Sequence, residues 1–364
     1  MSLEFLRNSL NIPDLTDRKN GIHAINIALE SISQAMAREF GIAVEEIRSA
    51  PEVTVRENFD DLLFPLDNLS RSSCYTRYVS AATVLRTHTT AAVPAWLQKL
   101  SQNASRDAMA IFPGMCFRRD VIDKKHCGQP HQLDVWRIRK VKPFDKDDLL
   151  HLVETITDAV IPGHEYRAND VVHPYTVGGL EIEIRVGDKW MELLECGLAH
   201  PTVLSNAGLN PKEYSGLALG LGLDRIVMIA KGIDDIRILR STDSRIRHQM
   251  GDLEPFIPVS NQPPTKRVLS YSVAATETEE DVCEKIRAEL NSESVHIEEI
   301  QYAEVPYDKL SDKARSNLGI QPNQKNVVIT IIFRSLEGSL PKATVNGWIA
   351  RLYPRLNEGE KGYY

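Results

Sequence analysis

Apolar residues return at steps of three and four in Ile22, Ile25, Leu29, Ile32 and Met36, and Gly41 follows. That period keeps one stripe of a helix on a core, so the spacing predicts an amphipathic helix over residues 21–40 that stops at the glycine. A second helix is expected over residues 147–160, with acidic residues in its first turn, where the helix dipole favours them. Elsewhere the period is two. Leu180, Ile182 and Ile184 alternate with Glu181, Glu183 and Arg185 as in a half-exposed strand, and Gly187-Asp188 marks a hairpin turn into WMELLECG. Strands dispersed among helices that do not alternate with them predict an α+β fold, an antiparallel sheet with helices packed around it.

Residues 252–265 carry Pro255, Pro258, Pro263 and Pro264 without periodicity and read as a linker between a domain over 1–251 and another over 266–364. The second stretch offers a strand (RVLSYSV), a helix with Thr276 and Glu279 as its capping box, a strand (VHIEEIQYAEV), a buried strand (NVVITIIF) and a helix (ATVNGWIARLY). The order β-α-β-β-α is most of a ferredoxin-like α/β plait, with little chain left for a last strand.

Composition narrows the classes. At 364 residues, 42% hydrophobic and 26% charged, the chain is an ordinary two-domain globular protein. It has no apolar run of membrane-spanning length. The first residues resemble neither a secretory signal nor a transit peptide, which points to the cytoplasm, or to the mitochondrial matrix if a presequence has been removed. Five cysteines without a CxxC pair argue for a reducing compartment and against a zinc site. A net charge of -7 gives no sign of a bulk nucleic-acid binder, so any nucleic-acid contact would have to use local patches.

Two stretches carry candidate chemistry. In YSGLALGLGLDR (214–225), a strand would put Gly216, Ala218, Gly220 and Gly222 on one face and Leu217, Leu219, Leu221 and Leu223 on the other. The bare face would let a flat ligand lie against backbone; the alternative is close packing of another element there. In residues 114–140, read as strand, polar loop and strand, Arg118 and Asp120 would share one face and Gln132, Asp134 and Trp136 another. Charge on a buried strand is costly without a partner. Either Arg118 pairs internally with Asp120 or Asp134, or these groups meet a phosphate and an ammonium. There is no GxxxxGK[ST] phosphate loop.

With LRTHTT (85–90), FRRDVIDKKHCGQPHQLD (117–134) and WMELLECGLAHPTVL (190–204), these segments resemble the catalytic subunit of phenylalanyl-tRNA synthetase. The stretch after the linker looks like the anticodon-binding domain of organellar single-chain forms. The resemblance implies a class II synthetase using ATP and Mg²⁺, with an amino acid and tRNA as partners. It would place Arg118 on the α-phosphate and Arg225 on the outer phosphates, with Asp120, His126 and Pro130 completing the ATP site and Glu192 at the metal. His88, Thr90, Gln132 and Asp134 would surround the ammonium and carboxylate, and Gly216, Ala218 and Gly220 would wall the side-chain pocket. The family's Phe-Pro-Phe-Thr-Glu-Pro is here His173-Pro174-Tyr175-Thr176-Val177-Gly178, a usual glycine is Glu195, and a usual glutamate is Asp134. His173, Tyr175 and Glu195 thus bear on which amino acid is taken, and leave the catalytic arginines intact. Three readings stand: a phenylalanine–tRNA ligase, a paralogue activating another amino acid for tRNA or another acceptor, and a non-catalytic regulatory module. Oligomeric state, monomer or homodimer, is left open. From Lys266 onward 13 Lys+Arg face 15 Asp+Glu, so an anticodon role would need a clustered face, for which Lys309, Lys313, Arg315, Arg351 and Arg355 are candidates.

Overall fold

The computed structural model describes residues 3–103, 106–121, 123–140, 142–259, 263–336 and 338–360. Its helices are α1 (Leu3–Leu10), α2 (Ala24–Phe40), α3 (Val55–Asn58), α4 (Val93–Ser101), α5 (Lys146–Asp158), α6 (Pro201–Asn206), α7 (Leu223–Lys231), α8 (Ser244–Gln249), α9 (Glu279–Leu290), α10 (Asp312–Leu318) and α11 (Lys342–Leu356). The strands are β1 (Val44–Glu46), β2 (Glu52–Thr54), β3 (Thr83–Leu85), β4 (Asp107–Met115), β5 (His131–Lys140), β6 (Tyr166–Asp170), β7 (Thr176–Val186), β8 (Lys189–Ala199), β9 (Tyr214–Gly222), β10 (Thr265–Ala274), β11 (Ile297–Pro306) and β12 (Gln324–Phe333). No helix among the described residues is long and apolar enough to cross a membrane.

The chain packs as two compact units. The first holds residues 1–118, 129–233 and 249–256, and the second holds 119–128, 234–248 and 257–364. Two stretches within 1–251 therefore pack with the C-terminal region. Of the proline-rich stretch, residues 260–262 lie outside the described residues.

The first unit is built on a seven-stranded sheet in the order β1-β4-β5-β9-β8-β7-β6. All neighbours are antiparallel except β1 and β4. The first predicted helix is α2: Ile25, Leu29, Ile32 and Met36 are buried, and Gly41 ends it in the left-handed conformation at φ 65°. Ile22 lies outside it and is exposed. His23 caps the N-terminus by accepting from Ile25 N–H. The second predicted helix is α5, with an Asp145–Asp148 capping box. The β7–β8 hairpin turns at Gly187, where φ is 59°. Farther along this pair, the register slips between Val177 and Leu180, setting Gly178 and Gly179 against the single Gly197. Such a bulge bends its strand and re-aims the residues before it, here 173–177.

The second unit has a three-stranded antiparallel sheet, β10-β12-β11. α9 and α11 pack together, with Leu269, Tyr271, Ile286, Ile329 and Trp348 in one core. This is a plait with its third strand central. Residue Glu358 donates its N–H to Ser272 O (2.8 Å) at the outer edge of β10, where a fourth strand would pair. Residues 361–364 lie outside the described residues. The cap of α9 is Thr278 with Asp281, and not Thr276 with Glu279. The helix begins two residues later than the Thr276 capping box implies, and both pairs satisfy the same Ser/Thr-x-x-Asp/Glu pattern.

Candidate active site

Register decides which side chains meet. Across the sheet, Phe112, Asp134, Gly220 and Glu195 stand side by side on β4, β5, β9 and β8. One row away lie Ala110, Trp136, Ala218 and Gly197, and on the other side Gly114, Gln132 and Gly222. The opposite face of β9 carries Leu217, Leu219 and Leu221, all buried. The two-faced reading of β9 therefore describes the strand as it packs.

Asp134 is buried and accepts two hydroxyl hydrogen bonds, from Thr89 (2.6 Å) and Thr90 (2.6 Å). Among the described residues it forms no ion pair with a basic side chain. Burial outweighs the hydroxyls and the charges of Arg118 and Arg86, and pushes its carboxyl up to about 6. Gln132 Oε1 accepts from Thr89 N–H (3.3 Å) and from the Cys116 thiol (3.1 Å). Burial pushes that thiol up to about 11, which keeps it a donor. The Gln132 amide nitrogen is left facing Gly220, 3.3 Å from where a β-carbon would stand.

His88 supports this group without entering it. Its Nε2 donates to Asn58 O (2.8 Å), its Nδ1 meets the Thr87 hydroxyl (3.1 Å), and its ring stacks on Phe64. Burial, with Arg118 nearby, drives its pKa down to about 3, so the imidazole is neutral. Arg86 is a structural brace that residue patterns did not single out. It is buried, donates to Met115 O and to Ser49, and passes Gly114 so closely that a β-carbon there would lie 2.0 Å from Nη2. His131 and Asp224 form a second unforeseen buried pair, 2.9 Å apart, which ties β5 to the first turn of α7.

Arg118 lies beyond β4, which ends at Met115, so Arg118 and Asp120 do not share a strand face as expected. The chain leaves the ladder there. Arg118 Nε donates to Thr87 O (2.8 Å), and its guanidinium lies over the Tyr75 ring. Among the described residues no ion pair joins it to Asp134, though its charge acts on Asp134, His88 and Glu195. Arg225 rises from the first turn of α7, donates to Glu192 O (2.6 Å) and stands 3.4 Å from the Glu192 carboxylate. Glu192 is exposed. Mg²⁺ commonly takes one or two protein carboxylates and completes its shell with substrate phosphates and water, so one exposed glutamate beside an arginine fits that role. Among the described residues no three His, Cys, Asp or Glu form a metal cage.

Pro130 is half-buried at the entry to β5 and accepts from Cys116 N–H. Asp120 and His126 pack with the second unit. Asp120 caps Val121 N–H, and its backbone carbonyl accepts from Arg287. His126 pairs with Asp123 at 2.8 Å.

The aromatic strip follows the bulge. Tyr175 lies among Phe64, Trp136 and His173, at 6.1, 6.4 and 6.0 Å between ring centres. His173 Nε2 is 3.0 Å from Glu195 Oε2, an ion pair whenever the imidazole is protonated. The imidazole and, more weakly, Arg118 and Arg225 hold the Glu195 carboxyl below its usual range against the opposing effect of burial. Gly216 is not bare wall: a β-carbon there would lie 2.6 Å from Ile138 Cδ1 and 2.8 Å from Ala199 Cβ. Ala218 is 1% exposed within the same packed cluster.

An antiparallel sheet with helices around it, carrying Gln132 and Asp134 beside Gly220, is the architecture that the resemblance to class II aminoacyl-tRNA synthetases implied. Residues 9–250 match the tRNA synthetases class II core domain (F), and the chain belongs to that family. The Arabidopsis thaliana chloroplastic/mitochondrial phenylalanine–tRNA ligase is 30% identical over 357 residues, covering 92% of this chain and 78% of its own. The mitochondrial enzyme of Dictyostelium discoideum is 33% identical, over 58% of this chain and 51% of its own. The alpha subunit from Clostridium beijerinckii is 33% identical, over 62% and 68%. A pyrrolysyl tRNA synthetase structure from Desulfitobacterium hafniense aligns at 14% identity and a TM-score of 0.47, over 65% of this chain and 77% of that one. A likeness that loose carries no functional weight.

Proposed function

We propose that this chain is an ATP-dependent aminoacyl-tRNA ligase. An amino-acid carboxylate oxygen attacks the α-phosphorus of ATP, pyrophosphate leaves, and a ribose hydroxyl at the tRNA 3′ end then takes the aminoacyl group and releases AMP. Negative charge grows on the phosphates in the first step, so positive charge and positioning matter more than a general base. The observation that carries this reading is the cluster around Gly220. Asp134 is a buried carboxyl with only hydroxyl donors, suited to an α-ammonium, and the Gln132 amide beside it suits the reacting carboxylate. Arg118 and Arg225 supply the positive charge, and Glu192 would hold Mg²⁺, which supplies further charge neutralisation when bound.

Phenylalanine is the amino acid that the relatives' names indicate. A second reading, another amino acid, is favoured by the packed Trp136–Ala218 row. The tRNA role of the second unit rests on its plait and on the similarity to single-chain enzymes. Of the candidate cations there, Arg351 pairs with Glu293, Arg355 with Glu289 and Arg315 with Asp312, while Lys309 and Lys313 are exposed.

The test is pyrophosphate–ATP exchange by the full chain with each amino acid in turn, followed by aminoacylation of total tRNA. Exchange driven by one amino acid, with charging of tRNA by it, is expected. A folded protein that exchanges with none would end the ligase reading.

A further inference from the structure

An activating enzyme must house the side chain of its amino acid, and here most of the space along the bare face of β9 is taken. At Gly216 the neighbours Ile138 and Ala199 already stand where a β-carbon would go. Trp136 is among the largest fully enclosed side chains of the protein, and its indole covers the row beside Ala218. Tyr175 packs on the same cluster. A benzyl side chain lying over Ala218 would have to displace one of these rings. Forcing even a few extra methylenes into a filled core pushes side chains off their rotamers, and a phenyl ring is larger.

The face is open at Gly220. A β-carbon there would meet only the Gln132 amide at 3.3 Å and an Asp134 oxygen at 3.9 Å. The flanks of this opening are acidic on both sides. Asp134 on β5 and Glu195 on β8 both stand opposite Gly220, two strand spacings of roughly 4.8 Å apart. One α-ammonium can neutralise one carboxylate. Asp134, with only hydroxyl donors, is the better enclosed of the two. Glu195 has the His173 imidazole 3.0 Å away, and a neutral imidazole leaves the carboxylate's negative charge uncancelled. A hydrocarbon side chain set over Gly220 would strip water from Glu195 and return no donor, which is unfavourable for a charged group.

Resting on the ligase reading above, we propose that the amino acid activated here is a diamino acid of lysine's length or shorter. Asp134 receives its α-ammonium, Glu195 receives its side-chain ammonium, and Trp136 closes the space that a phenyl ring would need. Glu195 and Trp136 are thus specificity-determining residues, one by charge and the other by volume.

The experiment is amino-acid-dependent pyrophosphate–ATP exchange with the full chain. The panel is phenylalanine, tyrosine, leucine, serine, 2,4-diaminobutyrate, ornithine and lysine, tested on wild type, Glu195→Gln and Trp136→Val, with circular dichroism to verify folding. Wild type should use a diamino acid with kcat/KM at least about tenfold above phenylalanine. Glu195→Gln should raise KM for that substrate by about 10² with a much smaller change in kcat, as expected when a charge partner met on binding is lost. Trp136→Val should raise activation of phenylalanine at least about tenfold. If Trp136→Val does not fold, wild type and Glu195→Gln alone decide. Preference of wild type for phenylalanine or for a neutral polar amino acid would overturn the proposal and leave the ligase reading standing. Absence of exchange with any amino acid would instead remove the ligase reading.

Discussion

Replacing Asp134 by asparagine separates what this residue does for the fold from what it does for a substrate. The folded protein raises this carboxyl from the usual 3.8 to about 6, chiefly by burial. A proton held more tightly in the folded state favours folding below about pH 4, and that contribution is lost as pH rises through 6. At 1.36 kcal/mol per pH unit, ionised Asp134 costs the folded state about 3 kcal/mol above pH 7. Asparagine cannot ionise, and its amide oxygen can still accept from a Thr89 or Thr90 hydroxyl. About 1 kcal/mol of that cost is already present at pH 4.5, so the stability of Asp134→Asn relative to wild type should climb by about 2 kcal/mol between pH 4.5 and pH 8. Urea unfolding of both proteins at pH 4.5, 6 and 8 measures this. In exchange assays the same variant should bind its amino acid poorly at every pH, and in wild type KM should rise as pH falls below 6, where protonated Asp134 no longer receives an ammonium. A stability difference that does not change with pH would refute the burial argument. An unchanged KM in the variant would refute the ammonium contact.

Two further expectations concern the arginines and the brace. Arg118→Ala and Arg225→Ala should each lower adenylate formation by about 10² or more, since losing one donor to developing charge costs about 3–4 kcal/mol; near-normal exchange in either folded variant would remove its catalytic assignment. Gly114→Ala should push Arg86 off Met115 O and Ser49 and cost about 2 kcal/mol or more, because hydrogen bonds to a buried charged group would be lost; an unchanged urea midpoint would show that the guanidinium has another place to go.

The chain's local chemistry announced much of this protein. The three-and-four spacing in α2 and its terminal Gly41, the alternation in β7, the Gly187 turn and the leucine face of β9 are short-range consequences of side-chain direction and backbone freedom, so they can be read without the fold. The resemblance grouped Gln132, Asp134 and Gly220 as candidates for one site, with Glu195 as a departure beside them, and register sets the four on adjoining strands. Short-range rules fail where two options satisfy them equally, as with Thr276 and Thr278 before α9. They fail again at Arg118, because the point where β4 ends depends on which backbone it has to pair with. What only tertiary structure decided is contact across strands. The sequence shows small residues at Gly216, Ala218 and Gly220 alike, but only register reveals Ile138 and Ala199 at the first and Trp136 beside the second. At the third, two carboxylates stand on either side. Partners distant along the chain, such as Arg86 with Gly114 and His131 with Asp224, are equally invisible to a periodicity, because nothing local records which side chain will fill the space beside a bare backbone.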